Sequence, residues 1–94
     1  MLLMISYEFQ PHDDPDGAKR VSAIQSAISA AALDQLQPLS SHWLVETDED
    51  VDQWTDRLTK LTSQSDRLLI CRVQGRTNGW LSTDIWEWIN QRAG

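Results

Sequence analysis

Cysteine occurs once, as Cys71, so an internal disulfide and a zinc site built on several thiolates are both excluded, and a reducing cytoplasm is the expected home. Basic runs are missing as well. Eight cations are scattered as Lys19, Arg20, Arg57, Lys60, Arg67, Arg72, Arg76 and Arg92 against fourteen acids, for a net charge of −6 and a pI of about 4.6. A phosphate backbone is gripped by clustered Lys and Arg, so this distribution disfavours nonspecific nucleic-acid binding. No apolar run is long. Met1 to Ile5 lacks a basic flank and soon meets Glu8, too short for a signal peptide or a membrane span, and no membrane partner is expected. Glycine is scarce, and the stretch Gly75 to Gly79 lacks the lysine of a P-loop, which removes support for nucleotide hydrolysis. No Ser-His-Asp or Cys-His arrangement can be argued from spacing.

What remains is a chain of 94 residues, expected to form one domain over 1–94 around a shared core. A domain of this size buries roughly two-thirds of the surface its unfolded chain exposes. The stability margin is correspondingly thin, and covering a sheet face or an aromatic patch with a second copy would widen it. A homodimer is therefore expected.

Leu2 to Phe9 alternates Leu3, Ile5, Tyr7 and Phe9 with Leu2, Met4, Ser6 and Glu8. Both sets are largely apolar, which predicts a central strand. Gln10 to Gly17 reads as a turn-rich loop, with Asp16 as the cap of a helix whose apolar positions Val21, Ile24, Ile28 and Ala31 run to about Leu33. Gln35 to Thr47 predicts a hairpin turning at Ser40 and Ser41, its first arm an edge strand because Pro38 cannot donate to a ladder. Thr47 or Asp48 is expected to cap a second helix, with Asp48, Glu49 and Asp50 in its first turn and Val51, Trp54, Leu58 and Leu61 as its buried stripe. Asp66 to Gln74 is the last strand. Ser82 then caps a short helix bearing Ile85, Trp86, Trp88 and Ile89. Two helices each joining strands, with a hairpin between, predict an α+β fold of ferredoxin-like β-α-β-β-α-β type with a short C-terminal helix. Both longer helices then pack on one sheet face. The other needs a cover, which the aromatic helix or a partner subunit could supply.

Several residue clusters invite a chemical reading. His12-Asp13-Asp14-Pro15-Asp16 looks metal-friendly, yet eleven residues beyond Asp13 and Asp14 stand Ile24 and Gln25, where an EF-hand requires glutamate. A turn with a helix cap explains it better. His42 is an isolated histidine that could act as a general base, although half-exposed strand filler is the commoner role. The five tryptophans could stack on bases, with Arg76 and Trp80 as the best pairing. Their spacing with Ile85 and Ile89 favours core or dimer packing instead.

Ile5-Ser6-Tyr7-Glu8-Phe9, Leu39-Ser40-Ser41-His42-Trp43-Leu44-Val45, Ser65-Asp66-Arg67-Leu68-Leu69, and Gly79-Trp80-Leu81-Ser82 with Trp86-Glu87-Trp88 together resemble small bacterial proteins of the SinR family. Their fold is similar to the CRISPR-associated Cas-two type and to virulence-associated protein D. The resemblance covers nearly the whole chain and implies a ferredoxin-like homodimer, in a lineage where some members cut RNA or DNA with a divalent metal. It also implies a defence or toxin-antitoxin setting. In the nuclease relatives a Tyr-Asp pair ends the first strand and the aspartates of two subunits meet near the dimer axis; the matching residues are Tyr7 and Glu8. The longer glutamate moves its carboxylate by roughly an ångström, in a site that needs near-octahedral geometry.

Two readings follow. In one the chain is a homodimeric interaction module, with Leu2, Met4 and the terminal tryptophans burying the partner surface and Glu8 paired with an arginine such as Arg72. In the other it is an endonuclease in which Glu8 binds Mg²⁺ or Mn²⁺, Tyr7 positions the site and water attacks the phosphodiester; only then is nucleic acid a partner. The acidic charge and the glutamate favour the first; the family resemblance favours the second.

Overall fold

A computed structural model describes residues 1–9, 15–63, 66–75 and 77–92, with strand β1 at Leu2–Glu8, helix α1 at Pro15–Ala31, β2 at Asp34–Leu39, β3 at His42–Glu46, α2 at Val51–Thr59, β4 at Arg67–Val73 and α3 at Thr83–Arg92. The four strands form one antiparallel sheet in the order β2-β3-β1-β4. The α+β fold is thus the expected ferredoxin-like one, with β1 in the interior of the sheet and β2 at an edge. The turn expected around His12, Asp13 and Asp14, together with Ser65 and Arg76, lies outside the described residues.

The alternation along β1 separates two apolar layers. Leu3, Ile5, Tyr7 and Phe9 pack with Val45 of β3, Ile24 and Ile28 of α1 and Trp54 and Leu58 of α2. Leu3, Ile5, Ile24, Ile28, Val45, Trp54 and Leu58 are wholly buried in that layer. On the reverse face Leu2 and Leu44 pack against Ile89 of α3, with Met4, Val73, Ile85, Trp86 and Trp88 around them. Leu2 is 1% exposed; the terminal helix of its own chain covers it, so the expectation that Leu2 buries a partner is corrected. Trp80, by contrast, is fully exposed and belongs to neither layer.

Helix ends depart from expectation for identifiable reasons. Pro15 opens α1, as its missing N–H and fixed φ allow, so Asp16 lies in the first turn rather than at the cap. There the helix dipole still favours its charge. The helix stops at Ala31, and the Leu33 N–H instead donates to the Glu46 carbonyl at 2.8 Å. Asp50 caps α2, not Thr47 or Asp48. Its carboxylate accepts from the Gln53 N–H while Gln53 Oε1 accepts from the Asp50 N–H, both at 2.9 Å, a reciprocal capping box. Asp48 and Glu49 precede the helix. Ser82 does stand at the start of α3, where its carbonyl accepts from the Trp86 N–H at 3.1 Å.

Candidate functional site

The reverse face of the sheet is covered at one end only. Strand register fixes which residues share it: Leu2 lies opposite Glu46 and Val73, Met4 opposite Leu44 and Cys71, Ser6 opposite His42 and Leu69, and Glu8 opposite Arg67. Residues directly opposite one another in an antiparallel sheet point to the same face. Helix α3 occupies the Leu2 end, leaving the Ser6–Glu8 end as an open depression. Ser6, Glu8, Ser41, His42, Arg67 and Leu69 line it, and Tyr7, Phe9, Val21 and Leu68 of the layer packed on α1 and α2 extend it round the end of the sheet. Two apolar side chains flank it in the open, Leu69 at 60% exposure and Leu39 at 55%.

Polar geometry at this end follows from the hairpin. Ser41 adopts a left-handed turn at φ 64°, and its carbonyl accepts from the Tyr7 N–H at 3.1 Å. That contact sets the register bringing His42 beside Ser6, where Ser6 Oγ and His42 Nδ1 share a hydrogen bond of 2.8 Å. Sequence reasoning treated His42 as isolated. The signal that could have found its partner was the parity of β1, which puts Ser6 and Glu8 on one face, combined with the two-serine turn.

The two residues matched to the nuclease pair do not share a face. Tyr7 is 8% exposed and turns toward the helices. Its ring stacks on Phe9 at 5.1 Å, and its hydroxyl accepts from Trp43 Nε1 at 3.2 Å. Glu8, the next residue, is exposed on the opposite side. Its cross-strand neighbour is Arg67; Arg72 lies opposite Leu3, on the helix-bearing face, so it is not the neighbouring-strand arginine facing Glu8. Among the described residues no group of three or more His, Cys, Asp or Glu side chains could hold a metal ion. Mg²⁺ is commonly held by one or two carboxylates, with water and phosphate oxygens completing its shell, and Glu8 is the carboxylate that lines this depression.

At the covered end, a polar anchor fastens α3. Asp34 of β2 accepts from Trp88 Nε1 at 3.2 Å and from the Arg92 guanidinium at 2.7 Å, while Arg92 stacks over the Trp88 ring at 4.1 Å and reaches Glu46 at 3.8 Å. The Gln35 backbone N–H bonded to Asp34 holds its carboxyl below the ordinary aspartate value; Trp88 and Arg92 add to that, and partial desolvation opposes it. No spacing rule links position 34 to 88 and 92, so this anchor was not legible in the sequence.

No family model and no curated protein matches the chain, so the resemblance to the SinR family finds no support there. Among solved structures the chain is similar to the Cas2 protein of Streptococcus pyogenes, crystallised at pH 6.5. The match covers 77% of this chain and 84% of that one, with a TM-score of 0.57 and 16% sequence identity. The fold is Cas2-like. At that identity the likeness concerns the arrangement of strands and helices, and what a Cas2-like sheet does here has to be argued from its own residues. No described helix is long and apolar enough to cross a membrane.

Proposed function

We propose that this chain is a small homodimeric interaction module of one domain, working in the cytoplasm, whose contact surface is the uncovered end of the Cas2-like sheet. The observation that carries this reading is the exposure of Leu69 and Leu39, at 60% and 55%, on either side of the Ser6 and His42 pair. Apolar residues grouped at the open end of an otherwise covered face are the usual mark of an interaction site. The polar pair between them supplies groups that a partner can meet with hydrogen bonds. Arg67 lies opposite Glu8 and gives that carboxylate a charge neighbour within its own sheet, which favours a structural over a catalytic role for Glu8.

The experiment is sedimentation velocity over a wide concentration range, on the native chain and on Leu69→Glu. The native chain is expected to sediment as a dimer and the variant as a monomer. A native chain that stays monomeric at the highest concentration overturns the reading.

The rival is a divalent-metal-dependent endonuclease, favoured by the position of Glu8 at the end of β1 in a Cas2-like sheet. It requires a second chain to complete any ligand set around Glu8, with Mg²⁺ or Mn²⁺ as the metal. Labelled RNA and duplex DNA incubated with Mg²⁺, Mn²⁺ or EDTA separate the two readings. We expect no cleavage above that of a Glu8→Ala control; metal-dependent cutting abolished by that substitution reverses the preference.

A further inference from the structure

One row of side chains crosses all four strands at the open end of the sheet. Leu39 of β2 lies opposite His42 of β3, His42 opposite Ser6 of β1, and Ser6 opposite Leu69 of β4, so the four share the reverse face in that order. The outer two are the exposed leucines. The inner two are half-buried and joined, Ser6 Oγ to His42 Nδ1 at 2.8 Å. Among the described residues this is the one hydrogen bond of the imidazole. Neither apolar layer includes Ser6 or His42, so packing does not account for the pair. Arg67 lines the same depression and sits diagonal to Ser6 on that face, a spacing that a long side chain spans. It forms no ion pair with any described residue.

A hydroxyl held on an imidazole, beside an unpaired cation and between two apolar walls, has the parts of an acyl-transfer site. We propose that Ser6 and His42 act as nucleophile and general base in the hydrolysis of carboxylic esters of short aliphatic acids. With the proton of neutral His42 on Nε2, Nδ1 takes the Ser6 proton as Oγ attacks the ester carbonyl carbon. The Oγ–C bond forms and the carbonyl electron pair moves onto oxygen, which the Arg67 guanidinium stabilises. Return of that pair breaks the bond to the alcohol oxygen, which leaves with the proton from Nδ1. Water then repeats both steps on the acylated Ser6, releasing the acid and restoring the hydroxyl.

The row fixes how a substrate lies. Its leaving oxygen must be on the His42 side to receive the proton, so the acyl chain lies on the other side, against Leu69. Leu39, beyond His42, meets the carbon chain of the alcohol. Two groups without a third to hold the imidazole supply less driving force than a triad, which suits an ester, whose alcohol leaves more readily than an amine. This activity goes beyond the interaction reading and uses the surface when no partner covers it.

A fluorophosphonate probe reads the nucleophile directly, because the Oγ–P bond forms as the P–F bond breaks. The native chain is treated in EDTA at the lowest concentration that mass spectrometry permits, and the adduct is expected on Ser6 in preference to every other serine. Hydrolysis of p-nitrophenyl butyrate is expected in the native chain and not in Ser6→Ala. His42→Ala is expected to slow labelling roughly 100-fold, the lower end of what a positioned base supplies, and added imidazole to restore labelling of Ser6. His42→Gln keeps a hydrogen-bonding group beside Ser6 but cannot take its proton, so it is expected to be as slow as His42→Ala. It also serves as the second variant should His42→Ala prove poorly folded by circular dichroism. Adducts spread over the exposed serines, or a labelling rate that His42→Gln leaves unchanged, overturn the dyad. Either result is independent of the oligomeric state, on which the homodimer reading stands or falls by sedimentation.

Discussion

Thr47 ties the chain before α2 to the core beneath that helix. It is 1% exposed, and its Oγ1 accepts both the Glu49 N–H and the indole Nε1–H of Trp54, each at 3.0 Å. Trp54 is wholly buried, so its N–H has no water to turn to. Thr47→Val keeps the shape and removes the acceptor, and a buried donor left unmet costs about 1–3 kcal/mol. Urea unfolding is expected to show a lowered midpoint at unchanged m-value, with Thr47→Ser close to the native protein. Sequence reading singled out Thr47 as a helix cap, which captured its local hydrogen-bonding habit and missed the tryptophan seven positions on. Asp34 is a second such residue. Its folded carboxyl titrates below the ordinary value of 3.8, chiefly through the Gln35 N–H, so the stabilisation it brings is fully present above that value. It is lost as pH falls through the depressed folded value. An acid titration of tryptophan fluorescence is expected to show release of α3 only below the normal aspartate range, and Asp34→Asn is expected to remove that acid-dependent step.

At the scale of elements, α2 and α3 are held by different means. Helix α2 buries Trp54 and Leu58 completely and starts with a capping box, whereas α3 buries only Ile89 and depends on the Asp34 anchor at its far end. Asp50→Ala is expected to destabilise the fold by about 1 kcal/mol, the usual worth of an N-cap, detected as a lower thermal midpoint. Amide exchange is expected to be faster throughout α3 than in β1, since locally thin packing permits local opening; equal protection in both would contradict this. The apolar periodicities were enough to place all three helices and four strands. Their ends were harder, because Thr47, Asp48 and Asp50 stand within four positions and each satisfies a simple capping rule. Gln53 decides among them: it lies three residues after Asp50, the capping-box spacing. Similarly, Pro15 rather than Asp16 sets the start of α1, a signal present in the sequence and outweighed there by the preference for an acidic cap.

For the whole molecule, the reverse face of the sheet is the point on which function turns. Alternation along β1 made two apolar faces legible, but whether α3 or a partner covers the second one depends on where a helix joined by an exposed segment comes to rest. It rests on the Leu2 end and leaves the Ser6–Glu8 end open, so one side of the sheet is shared between an internal cover and an external surface. Removing the internal cover should then enlarge the external one. Ile89→Asp puts a charge where Leu2 and Leu44 now meet a buried isoleucine, and an unpaired charge is not tolerated in such a setting. Helix α3 is expected to detach while the layer around Trp54, which it does not touch, keeps the sheet and the other two helices folded. Circular dichroism should accordingly show the loss of about one short helix. Sedimentation at the same concentration should show stronger self-association than the native chain, because Leu2, Leu44 and Met4 join Leu69 and Leu39 in the open. A detached α3 with unchanged association would mean that the two ends of this face act independently, and that the open end alone determines what the molecule binds.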